Sequence, residues 1–97
     1  MDSVNSQEVT TSGTVGKQVF AAGATPKAVI LGGFLLTASG TSAGSVTIRD
    51  GNASGEVKYF ARTVLNASRA VETGCHRFDK GMHVKVLGGA TCYLMIA

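Results

Sequence analysis

Cys75, His76, His83 and Cys92 are the side chains of this sequence best equipped for chemistry. Together they could hold a zinc ion, but structural zinc sites carry paired C-x-x-C or H-x-x-x-H spacings. Neither spacing occurs here, so no metal site is expected. Nucleophilic catalysis needs a Cys or Ser beside a positioned His. Cys75 and His76 are adjacent, and on a strand adjacent residues point to opposite faces. No G-x-S-x-G elbow is present, and Asp50, Glu56, Glu72 and Asp79 are too scattered to form an obvious acid/base pair. The glycine pairs at 32–33 and 88–89 open no helix and precede no Lys-Ser/Thr, so they are not phosphate loops. The residues therefore predict no catalytic group, no cofactor and no metal. Pairing Cys75 with Cys92 would be worth about 3 kcal/mol in the chain-entropy model. In a reducing cytosol two free, partly buried thiols are the expectation instead.

Charge narrows the partners. Residues 1–16 hold Asp2 and Glu8 and no base, whereas all nine Lys and Arg lie from Lys17 onward. A basic body favours acidic partners or simply keeps the protein in solution. The bases are spread over many segments and only 6% of residues are aromatic, too few for an evident stacking platform. No specific nucleic-acid binding is expected. The start is polar and acidic, unlike a secretory signal. The longest apolar stretch, Ala28 to Ala38, is too short to span a bilayer. No membrane partner is expected, and synthesis in the cytoplasm follows.

The elements that must position these side chains are strands. With 97 residues, 13 Gly, 1 Pro and no Trp, the chain has one core's worth of Val, Ile, Leu and Ala and many turns. Lys17 to Gly23 and Lys27 to Ala38 read as strands, the second interrupted by Gly32-Gly33, which predicts a bulge. In Ser45 to Asp50, Val46 and Ile48 alternate with Thr47 and Arg49. Asp50 to Gly55 is a strong turn signal. Glu56 to Leu65 is apolar at Val57, Tyr59 and Ala61. Ala70 to Phe78 is a weak strand, and Asp79-Lys80-Gly81 a tight turn. Met82 to Leu87 puts Met82, Val84 and Val86 inward and His83 and Lys85 outward. Ala90 to Ala97 places Cys92, Leu94 and Ile96 on one face. About seven short strands at such spacing predict an all-β sandwich or small barrel over residues 17–97.

Residues 1–16 are polar, rich in Ser and Thr and without a hydrophobic period. They read as an extended N-terminal arm that orders on a partner. Val4, Val9 and Val15 are its apolar anchors and the candidate partner-binding residues.

Three stretches resemble small phage particle proteins: SVTIRDGNASGEV (45–57), FDKGMHVKVLGGATCYLMIA (78–97) and VILGGFLLTASGTSAG (29–44). They match a V-x-I-x-D-G-x-x-x-G strand and turn, a closing hairpin and a glycine-interrupted strand. The sequence departs from that pattern in ending LMIA, where such proteins often end in Val and Tyr, and in the lead-in Cys75-His76-Arg77. The resemblance implies a β-sandwich or jelly roll and a virion structural role. Its first form is a capsid decoration, or cement, protein that binds and stabilises the shell. The major capsid protein and further copies of itself, as a homotrimer, would then be its partners. A neck, tail or fibre component, or a carbohydrate-binding β module, is the alternative.

Overall fold

The computed structural model describes residues 5–9, 17–19, 29–38 and 42–96. Eight strands lie in them: β1 (Asn5–Val9), β2 (Lys17–Val19), β3 (Val29–Ala38), β4 (Gly44–Asp50), β5 (Val57–Thr63), β6 (Ser68–Phe78), β7 (Met82–Gly88) and β8 (Ala90–Ile96). They pair β1 with β8, β2 with β7, β3 with β6 and β4 with β5, all antiparallel. This is one long hairpin of nested strand pairs. Rolled on itself, it gains the β3–β8 and β4–β7 pairings and closes into two four-stranded sheets, β1-β8-β3-β6 and β2-β7-β4-β5. That order is the jelly roll, a double-sheet β-sandwich. The expected all-β fold is therefore present.

Alternation builds the core. Val46 and Ile48 of β4, Met82, Val84 and Val86 of β7, and Cys92, Leu94 and Ile96 of β8 face inward as the sequence pattern requires. Among the described residues, Phe34 and Phe78 are the largest fully buried side chains. Each such burial contributes on the order of 1.5–3 kcal/mol by removing apolar surface from water. The Gly32-Gly33 bulge is also present. Register shifts between Leu31 and Gly33 against both neighbours. The inward positions accordingly change parity, from Val29 and Leu31 to Phe34 and Leu36.

Four expectations need correction. Asn5–Val9, read as arm, forms β1 on the β8 edge, from Asn5 opposite Ile96 to Val9 opposite Cys92. Backbone pairing holds this segment, so it needs no hydrophobic period of its own. Val57, expected inward with Tyr59 and Ala61, is exposed. The register jumps from Ile48 opposite Tyr59 to Arg49 opposite Val57, and the extra residue Lys58 turns Val57 to the other face. His83, expected outward, keeps that parity opposite Arg49 but is only 7% exposed. Finally, the weak strand at 70–78 is the longest of the described strands, 11 residues, with Gly74 and Cys75 both at positive φ (66° and 58°) opposite the β3 bulge.

Candidate interaction surface

The outer face of the β2-β7-β4-β5 sheet is basic, with Phe60 on its β5 edge and Leu87 on β7. Register places Lys85, Thr47 and Phe60 in one cross-strand row and Leu87, Ser45 and Arg62 in the next. Phe60 is 54% exposed, and the Arg62 guanidinium lies 5.5 Å from its ring centre, a cation–π contact. Phe60, Arg62 and Leu87 border a shallow hollow of about 270 Å3 floored by Gly44 and Gly88. Those glycines are required there. A Cβ on Gly44 would sit 2.2 Å from that of Ala90, and one on Gly88 would sit 2.1 Å from the Ala43 carbonyl oxygen. Arg49 continues the basic face and donates to the Gly55 carbonyl at 3.0 Å, which holds it against the β4–β5 turn.

The outer face of the other sheet is apolar, with Glu72 at its margin. Leu35 stands opposite Ala70 on one side and Tyr93 on the other, a row across three strands. With Met95 these residues line an apolar hollow of about 420 Å3. Met95 lies across the floor. Its Cε would be 3.1 Å from a Cβ on Gly33, so the glycine makes room for the methionine. Glu72 is paired with Gly33 at the margin, and Glu8 of β1 is in register with Tyr93.

The edge where β5 and β6 end their sheets joins these two faces. Val57 at the start of β5 and Val64 and Leu65 in the β5–β6 turn are exposed there, Val64 at 71%. Just inside, Tyr59 of β5 and His76 of β6 share a 2.7 Å hydrogen bond between the sheets. His76 also stacks on Phe78, ring centres 4.6 Å apart, and Tyr59 meets Phe34 and Phe78 edge-on or tilted. Thr73 Oγ1 donates to the Leu31 carbonyl and ties the β6 irregularity to β3.

Both cysteines are free. Cys75 is exposed at the β6 irregularity, and Cys92 is buried in β8. Burial pushes the Cys92 thiol up to about 12. It is therefore a small core side chain and not a nucleophile.

The predicted anchors do not form a described site. Val4 and Val15 lie outside the described residues, and Val9 ends β1 opposite Cys92. The surface residues missed in the sequence are Phe60, Leu35, Tyr93 and Met95. A signal for them was present: each is out of phase with buried neighbours such as Ala61, Phe34, Leu36, Cys92 and Leu94.

The topology and the surface define a jelly-roll module with apolar patches on both outer faces and along one edge. No protein-family model matches the chain, and no curated protein matches it. Among solved structures it is similar to a protein of the disulfide-linked pili that form Bacillus endospore appendages. The TM-score is 0.56 at 14% identity, over 97% of this chain and 83% of that one. At that identity the likeness carries the fold alone.

Proposed function

We propose that this chain is a structural subunit that works in many copies within a protein assembly. The observation that carries this reading is the apolar β5–β6 edge. Val57, Val64 and Leu65 are exposed beside two strands that end their sheets. Unpaired strand edges and exposed apolar side chains are a liability for a solitary protein and a contact for an assembled one. In its finer form the reading is a decoration protein on a phage capsid. The sequence resemblance of residues 29–57 and 78–97 supports that form, and multivalent binding would add avidity to a modest contact. The major capsid protein would be the partner, with copies meeting as trimers.

A filament subunit is the second reading. The structural neighbour is a protein of disulfide-linked pili, and Cys75 is an exposed free thiol that a disulfide between copies would use.

Co-sedimentation with empty phage capsid shells tests the first form. Saturable binding, weakened by Val64→Asp and Leu65→Asp, is the expected result. Absence of both shell binding and self-association would refute the structural reading. Covalent multimers under oxidised glutathione that vanish in Cys75→Ser would instead support the filament.

A further inference from the structure

The two outer faces of the sandwich complement each other. One presents Phe60, 54% exposed, with Leu87 nearby and the cations Arg62 and Lys85 flanking it. The other presents the apolar hollow of about 420 Å3 formed by Leu35, Ala70, Tyr93 and Met95. Exposed Glu72 borders that hollow by register. Arg77, also on β6, does not offset that carboxylate, because it is paired with Asp79 at 2.6 Å.

We infer that the molecule binds a second copy of itself front to back, the Phe60 face of one copy seated on the Leu35–Tyr93 hollow of the next. The occupant follows from the match in both respects. The apolar projection has an apolar hollow to enter, and the cations around the projection meet the Glu72 carboxylate at the margin of the hollow. Like faces would oppose cation to cation, or hollow to hollow. Because the two patches differ, the contact is heterologous, and each bound copy offers a fresh face to the next. This inference rests on the assembly reading above and names a contact within it, separate from the β5–β6 edge.

The contact is weak taken singly. A four-stranded face of seven-residue strands measures roughly 20 by 24 Å from the usual strand spacing and rise. That is below the ~800 Å2 per partner of a stable isolated interface. Repetition must supply the rest, and the exposed charge pairs make association sensitive to salt.

Sedimentation velocity on the whole chain, wild type and two variants, tests the contact. Phe60→Glu removes the projection and Leu35→Arg fills the hollow. Each alone should associate at least ~10-fold more weakly than wild type. Their equimolar mixture should form dimers and nothing larger, since each variant keeps the one face the other lacks. Circular dichroism and thermal midpoint confirm folding. Should Leu35→Arg not fold, Glu72→Lys at the exposed margin takes its place. Variants that associate like wild type overturn the inference, as does a mixture that stays monomeric. A wild-type chain monomeric to about 1 mM, the weak end of specific association, also overturns it. In that case, binding of the Phe60 face to heparin as a probe would assign that face to a polyanion. The failures remain distinct. If shells are still bound, or copies still associate, with both faces changed, only the stacking contact is wrong. If neither occurs in wild type, the assembly reading fails with it.

Discussion

Tyr59 and His76 join the two sheets by a 2.7 Å hydrogen bond between the phenol oxygen and imidazole Nδ1. Each lies on the last strand of its own sheet, β5 and β6. The bond therefore closes the sandwich on the side away from β1 and β2. Tyr59→Phe keeps the ring against Phe34 and Phe78 and removes only the hydroxyl. A loss of about 0.5–1.5 kcal/mol is expected. Urea unfolding should show a lower midpoint at unchanged slope, because the exposed surface is the same. An unchanged midpoint would show that water replaces the bond at no cost.

The cysteines should separate by reactivity. Cys75 is exposed and Cys92 buried, so one thiol per native chain should react promptly with a maleimide and the second only after unfolding.

Cys92 also predicts an alkaline limit to stability. Its folded-state thiol is raised from 9.0 to about 12 by burial. The folded chain thus holds this proton more tightly than the unfolded chain. The resulting contribution is full below about pH 9 and is lost as pH rises toward 12. It is worth at most about 4 kcal/mol by the linkage conversion. Cys92→Val should flatten this slope relative to wild type, while tyrosine and lysine titration continues in both. Parallel slopes in the two proteins would sink the idea.

Two glycines with similar dihedrals should respond differently to alanine. Gly88 has φ 75° and would drive a Cβ to 2.1 Å from the Ala43 carbonyl oxygen, where the β7–β8 turn passes the start of β4. Gly74 has φ 66° with nothing within 4 Å of the added atom. Gly74→Ala should cost about 1–2 kcal/mol from the left-handed backbone alone. Gly88→Ala adds a backbone clash and should cost more, or prevent folding. Thermal midpoints of the two variants decide it, and equal losses would mean that the β7–β8 turn moves aside freely.

Deleting residues 1–9 should uncover the β8 edge. β1 pairs with β8 from Asn5 opposite Ile96 to Val9 opposite Cys92. Without it, β8 amides that face β1 should exchange faster with deuterium, and the bare edge should promote association. Unchanged exchange in residues 92–96 would show that β1 contributes nothing to the fold in solution.

Much of this fold was legible in the residues. Alternation around Val46–Ile48, Met82–Val86 and Cys92–Ile96 marked the core faces, because a half-buried strand repeats every second residue. Gly32-Gly33 marked a bulge, and Asp50 to Gly55 a turn, where Ser54 N–H donates to Asn52 Oδ1 and Gly55 N–H to the Asn52 carbonyl. Each of these is a local preference. The jelly-roll order, the pairing of Asn5–Val9 with β8, the burial of His83 and the exposure of Val57 depended on contacts distant in sequence. Val57 turns outward only because Lys58 is an extra residue against Arg49 and Ile48. Leu35, Tyr93 and Phe60 become surface patches only when the rolled hairpin gives each sheet an inner and an outer side. The sequence by itself determined the strands from β3 onward and which residues of β4, β7 and β8 alternate inward. Only the tertiary structure decided which strands are neighbours and which apolar residues remain outside, because pairing and burial belong to two segments at once.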